Sequence, residues 1–328
     1  MTAFFSFPTL IYLLAVGAGL FTTALSLPAW RRWCVRAGVV DDPGHRKIHL
    51  EPIPLAGGLA VLTGLVVPIA AGLVALRVGL FDAGTVSVLA HGFDRRQLQL
   101  IAVVGGALGM VLLGWLDDRY ELRPSLKFAG QVLIAFVVAM AGVRITLFVP
   151  SIVFSVAVTV LWIVTLTNAL NFMDNMNGLC AGLGLIGAFC FGMKSALAGQ
   201  YLVALLGFLS VGALMGFLPY NFPRATVFLG DAGSHLVGYL LGVLAILPHF
   251  YTKENPSALA VLNPLLILAV PLFDLVSVVL IRWKAGRPFY VGDTNHLSHR
   301  LVRKGLSQTT AVLVIWLLAA MCGAMAFL

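Results

Sequence analysis

Gly114-Trp115-Leu116-Asp117-Asp118-Arg119-Tyr120-Glu121-Leu122-Arg123-Pro124-Ser125-Leu126-Lys127 lies between two long apolar runs. Two adjacent carboxylates placed where a greasy segment stops are costly, and that cost points to a cation or to phosphate chemistry at a membrane surface. Neighbours on a helix differ by about 100°, so Asp117 and Asp118 cannot face the same way. One is expected to act while a basic partner holds the other. Salt bridges to Arg119 or Arg123 are the plainer alternative, and Lys127 could sit over the same site.

The apolar runs on either side continue through the whole chain. Its 328 residues are 60% hydrophobic and 10% charged, with a mean hydropathy of +0.99. A water-soluble chain of this length could not hide so much apolar surface. The fold class expected is all-α: a polytopic integral membrane protein, a single transmembrane domain over residues 1–328. Runs of about 17 to 25 residues count as spans. They fall near 7–29, 55–76, 98–116, 126–143, 151–167, 178–195, 201–218, 234–250, 259–281 and 308–327, ten in all. The first 26 residues carry no Lys or Arg, the first being Arg31, so a retained first span is expected rather than a cleaved signal.

Ten spans place loops 30–54, 117–127, 168–177, 219–233 and 282–307 on one face. That face holds 15 of the 21 Lys and Arg residues, including Arg31, Arg36, Arg119, Arg123 and Arg282. The positive-inside rule makes it cytoplasmic and both termini external. The same rule accounts for the net charge of +8, so nucleic acid is not an expected partner. Acidic residues cluster on this face too, leaving only Asp82, Asp94 and Glu254 on the other. An active site assembled from five cytoplasmic loops follows. Cys34, Cys180, Cys190 and Cys322 are scattered and carry no metal motif.

Each loop has its own chemistry. The first contains Arg46, Lys47 and His49, donors for phosphate oxygens, ahead of the Gly57-Gly58 pair; headgroup anchoring is the alternative. In the third, Asn168, Asn171 and Asp174 are spaced by three and would stack on one helix face as oxygen ligands. Such a set suits Mg²⁺, which takes few carboxylates together with phosphate oxygens; a helix cap would need only one of them. The fourth holds Asn221 and then Gly230-Asp231-Ala232-Gly233-Ser234, where glycines and a helix start favour an anion. Phe228 stands where an intramembrane aspartyl protease would have glycine. The fifth carries His296, His299 and Arg300 at helical spacing, donors for a pyrophosphate or sugar. Zinc is disfavoured there, with no cysteine or further histidine near.

The ordered set resembles the polyprenyl-phosphate N-acetylhexosamine-1-phosphate transferase family, glycosyltransferase family 4, over nearly the whole chain. Asp42-Pro43 with Arg46-Lys47-x-His49 and Gly57-Gly58 is similar to its first motif, and Gly114-x-x-Asp117-Asp118 with Lys127 and Gln131 to its second. Asn168-x-x-Asn171-x-x-Asp174, Asn221-Phe222 with Gly230-Asp231-x-Gly233-Ser234, and His296-x-x-His299-Arg300-Leu301 complete the series. The resemblance implies attack of polyprenyl phosphate on the β-phosphate of a UDP-N-acetylhexosamine, most simply UDP-GlcNAc, with release of UMP. It implies Mg²⁺ as cofactor, with Mn²⁺ as a substitute, and a bacterial inner membrane. By carry-over, Asp231 and Asn171 are expected as metal ligands and Asp117, Asp118, Asp174 and His299 as catalytic groups. Arg46, Lys47, His49, Lys127, Asn168, Asn221, His296 and Arg300 are expected to contact substrate or phosphate. A homodimer is left open.

Three departures qualify the match. Asn177 replaces a second carboxylate in the third motif, so no metal role is expected of it. Leu55-Ala56 stands where many members have an arginine. Ser298 replaces a histidine beside His299, and the triple-His form of the pentapeptide enzyme is absent, which favours a simple N-acetylhexosamine donor. Two readings outside this chemistry compete: a transporter, whose polar sites would lie near the midplane, and a non-catalytic scaffold of glycan assembly.

Overall fold

The computed structural model describes residues 7–42, 51–81, 83–146, 149–248, 258–288 and 293–328. Twelve α-helices make up these residues almost entirely, with one short two-stranded pair. In chain order they are α1 (Thr9–Ala37), α2 (Gly57–Arg77), α3 (Ala83–Tyr120), α4 (Pro124–Met140), α5 (Ile152–Met173), α6 (Leu179–Leu197), α7 (Tyr201–Asn221), α8 (Gly230–Ile246), α9 (Asn263–Ile267), α10 (Ala269–Lys284), α11 (Leu297–Arg303) and α12 (Gln308–Met325). Strands β1 (Val40–Asp41) and β2 (Ile53–Pro54) pair antiparallel between α1 and α2.

Each of the ten expected apolar runs falls on a helical element. Among the described residues seven helices are long and apolar enough to cross a membrane, and an eighth crossing results if α9 and α10 form one span bent by 68°. The bend follows from Pro271 near the start of α10, which has no N–H to offer the Ile267 carbonyl where the two pieces join. Helices α4 and α8 are apolar but only 17 residues each. The protein is thus a multi-pass membrane protein. Large apolar side chains such as Leu25, Leu112, Leu133, Leu161 and Phe189 point outward, as a hydrocarbon solvent allows. At one end, Trp30, Trp33 and Trp115 cluster, and Trp33 is exposed. Such amphipathic rings mark a membrane boundary.

Helix α8 is the centre of the bundle. Every residue in it is buried except Asp231 and Ile246, as expected of a helix that is apolar all round. Small residues let its neighbours approach to backbone contact. A Cβ on Gly58 of α2 would collide with the Ala232–Gly233 backbone, and one on Gly114 of α3 with the Asp231 carbonyl. Gly238, two turns deeper, lies against the Leu166–Thr167 backbone of α5. The segment before α8 is tied in as well: Gly57 and Gly58 donate their N–H groups to the Phe228 and Leu229 carbonyls at 3.0 Å, and Phe228 donates to Pro54. The starts of α2 and α8 and the end of α3 therefore meet at one point, which is where the carboxylates lie.

Candidate active site

Four residues expected to serve the site converge. The Lys127 ammonium, in the first turn of α4, donates to Asp117 Oδ2 at 2.7 Å and also to Asp231 Oδ2. Asn171, in the last turn of α5, donates from Nδ2 to Asp231 Oδ1 at 2.7 Å and to the Ser234 hydroxyl at 2.9 Å. Asp231 retains 31% side-chain exposure, against 12% for Asp117 and 17% for Lys127, so its carboxylate is the most open part of the cluster. These residues stand on helix ends: α3 runs on through Asp117 to Tyr120, past the expected start of the loop at 117, and α5 continues through Asn171 to Met173, as the spacing of its polar residues led one to expect. A helix end fixes a side chain more firmly than a loop does.

Asp117 and Asp118 divide as neighbours 100° apart must, but the basic partner belongs to Asp117. Asp118 accepts the backbone N–H groups of Asp231 and Ala232, at 2.8 and 3.1 Å. It caps α8 from a different helix, meeting orphan donors at a positive helix end. Asp117 also accepts the Leu122 N–H at 2.9 Å, closing the turn that leads to α4. Arg119 points away and donates to the Gly38 carbonyl.

Beneath these residues runs a second polar tier. Asn168 donates to Gln131 Oε1 at 2.6 Å, and Gln131 Nε2 lies 3.3 Å from His235 Nε2. Gln131 and His235 follow Lys127 and Asp231 by four residues, and Asn168 precedes Asn171 by three. Each of α4, α5 and α8 thus supplies one residue per tier, one helical turn apart. Asn168, expected at substrate, is committed to this lower tier and to the Val164 carbonyl. Asn221, likewise expected at substrate, is buried: its Oδ1 accepts the Gly178 N–H at 2.6 Å and its Nδ2 donates to Val227. In both cases neighbouring protein groups take the donors the sequence reading assigned to phosphate. His235, a lone histidine one turn inside an apolar run, was the available signal for the second tier.

Asp174 follows α5 and keeps a partly exposed surface. Burial and then the charges of Asp231 and Asp118 push its carboxyl well above the usual carboxylate range. Arg46, Lys47 and His49 lie outside the described residues.

The last segment is anchored beside the cluster. Ser298, buried, donates to Asn175 Oδ1 at 2.6 Å and ties α11 to the turn after α5. His296 is edge-on to Phe172, with ring centroids 5.6 Å apart, and the Arg282 guanidinium lies 5.2 Å from the Phe172 ring centroid. Arg282 also pairs with Asp293 at 3.0 Å. Burial works against Asp293, but hydrogen bonds from Arg282 and Asn295 outweigh it and hold its carboxyl down at about 2. Burial, then the neighbouring His296 and Arg303, push His299 below the usual imidazole value. Arg300 donates to Ser277 at 3.3 Å. Arg282 and Asp274 were not assigned from sequence, because their partners lie 11 to 23 residues away on other elements.

The metal expectation can be tested on the donor set. Asp231 and Asn171 offer the hard oxygens that Mg²⁺ takes. Among the described residues no three His, Cys, Asp or Glu side chains converge as a metal cage.

Comparison with known proteins gives a consistent result. The family model for glycosyl transferase family 4 matches residues 100–249. A probable undecaprenyl-phosphate N-acetylglucosaminyl 1-phosphate transferase of Bacillus subtilis is 33% identical over 307 residues, covering 91% of this chain and 79% of the relative. A decaprenyl-phosphate N-acetylglucosaminephosphotransferase of Mycobacterium tuberculosis H37Rv is 34% identical over 308 residues, 86% of this chain and 73% of the relative. An undecaprenyl-phosphate alpha-N-acetylglucosaminyl 1-phosphate transferase of Escherichia coli K12 is 27% identical over 318 residues, 92% and 79%.

Proposed function

Because this chain belongs to glycosyltransferase family 4, we propose that it transfers N-acetylhexosamine 1-phosphate, GlcNAc 1-phosphate foremost, from a UDP-sugar to undecaprenyl or another polyprenyl phosphate. UMP is released, and the lipid-linked sugar phosphate starts a cell-envelope polysaccharide. The observation that carries this reading is the Lys127 ammonium clasped between Asp117 and Asp231 at one end of the bundle. It joins a group suited to presenting a lipid phosphate with a group suited to a donor pyrophosphate, where a membrane lipid and a water-borne nucleotide would meet.

An oxygen of the lipid phosphate attacks the β-phosphorus of the donor, and the bond from that phosphorus to the oxygen bridging it to UMP breaks. Such a transfer asks the protein mainly for positioning and charge neutralisation. Asp117 orients the lipid phosphate and takes its proton. Lys127 offsets charge on the phosphates, and Asp118 holds the start of α8 so that Asp231 faces the cleft. Mg²⁺, held by Asp231 and Asn171, would supply the remaining positive charge on the pyrophosphate. His299, Arg300 and the first-motif cations Arg46 and Lys47 serve the donor side. The Lys and Arg excess of the loops at this end supports a cytoplasmic orientation, and a bacterial inner membrane fits the family reading. A transporter reading is disfavoured, because the charged cluster sits on helix ends rather than at mid-bundle.

The test is UMP and lipid-linked sugar formation by purified protein given undecaprenyl phosphate, UDP-GlcNAc and Mg²⁺, with UDP-GalNAc as alternative donor. Product that disappears with EDTA and returns with Mg²⁺ or Mn²⁺ is expected. No product from either donor by folded protein rejects the reading.

A further inference from the structure

Asp274 lies within α10 and is fully buried. A carboxylate inside an apolar helix is costly unless fully paired, and this one is paired at both oxygens. Oδ1 accepts the N–H of Leu297, the first residue of α11, at 2.6 Å. Oδ2 lies 2.7 Å from Nδ1 of His296. An ionised carboxylate can only accept hydrogen bonds, so Nδ1 must carry the hydrogen. In the neutral ring the other nitrogen, Nε2, is then left with a lone pair. Among the described residues nothing is hydrogen-bonded to Nε2. The ring is 5% exposed and wedged edge-on against Phe172, which Arg282 covers in turn.

We propose that Asp274 is a positioning residue that fixes His296 in its Nδ1–H tautomer, so that Nε2 accepts a hydrogen bond from an O–H or amide N–H of the donor's hexosamine. The inference rests on the transferase reading and adds a named recognition element to it. The same carboxylate seats α11, which carries His299 and Arg300, and the two duties separate cleanly by substitution. In Asp274→Asn the carboxamide oxygen can still accept the Leu297 N–H, and asparagine caps helices well. Its NH₂ would face Nδ1, however, and force the hydrogen onto Nε2.

Asp274→Asn is therefore expected to lower kcat/KM for the UDP-sugar by about 10- to 100-fold, the range for loss of a group that orients a functional histidine. The KM for polyprenyl phosphate should stay put. His296→Gln should lose a similar amount, and Asp274→Asn added to His296→Gln should cost nothing more. Damage to folding would instead multiply through the double variant and overturn the proposal. So would an Asp274→Asn protein within twofold of the parent. If the parent itself makes no product, the transferase reading fails, yet ¹⁵N shifts of His296 still decide this point. Nδ1–H in the parent, switched to Nε2–H in Asp274→Asn, supports it; Nε2–H in the parent overturns it.

Discussion

Asp118 holds Asp231 by the backbone: its carboxylate accepts the Asp231 N–H at 2.8 Å, while the Asp231 side chain turns outward to Lys127 and Asn171. The adjacent aspartates thus have separate work. One faces the ammonium of the cleft, and the other fixes where the next helix begins.

That division predicts unequal variants. Asp117→Asn should keep the parent's melting temperature within a few degrees and lose turnover by about 10²-fold or more, the size expected when a group aimed at the reacting centre is removed. Asp118→Ala should lose stability by about 0.5–2 kcal/mol, the usual worth of a helix cap, and Asp118→Asn should recover part of both stability and rate. Thermal melts beside UMP release decide the matter. An Asp118→Asn protein as inactive as Asp117→Asn at unchanged stability would contradict it.

Lys127 separates two carboxylates that would otherwise face each other unscreened. Lys127→Met should lower the melting temperature and abolish transfer. Adding Asp117→Asn should restore part of the melting temperature and none of the activity, because it removes the repulsion without returning the cation. Additive losses in the double variant would show that Asp117 and Asp231 do not repel across this gap.

Backbone contact at the junction predicts steric intolerance. Gly58→Ala and Gly114→Ala each place a methyl group into the α8 backbone, and both should reduce folded yield and activity together. Gly17→Ala and Gly72→Ala meet nothing within 4 Å, and should be neutral or slightly stabilising, as alanine is the better helix former. Detergent-solubilised monomer yield across the four variants is the measurement.

Asp174 predicts a pH dependence with a definite sign. Its folded-state carboxyl is raised above the ordinary value of 3.8 by burial, then by Asp231 and Asp118. The stability it contributes is full below the unfolded value and is lost as pH rises through the raised folded value. Asp174→Asn, which never ionises, should match the parent's melting temperature near pH 4 and exceed it increasingly toward neutrality, then level off. An equal offset at every pH would exclude this cause.

Much of this was open to the sequence. Hydropathy places the helices, and the ordered polar clusters name Asp117, Lys127, Asn171 and Asp231, because charge at the edge of an apolar run is rare enough to stand out. What sequence could not show is how each polar group is spent. Asn168 and Asn171 share a helix face, but one turn of depth sends the first to Gln131 and the second to Asp231. Asn221 looks like a free donor until the Gly178 and Val227 backbones are seen to use it. Asp274 reads as an isolated charge in a span and Arg282 as one more loop cation, since their partners come from the far side of a chain reversal.

The two tiers across α4, α5 and α8 make the site a matter of counting as well as chemistry. Deleting one residue between Lys127 and Gln131 would swing one tier about 100° around α4 relative to the other, although every side chain would survive. A substitution away from the tier positions leaves this register intact, but a single insertion or deletion between the tiers does not.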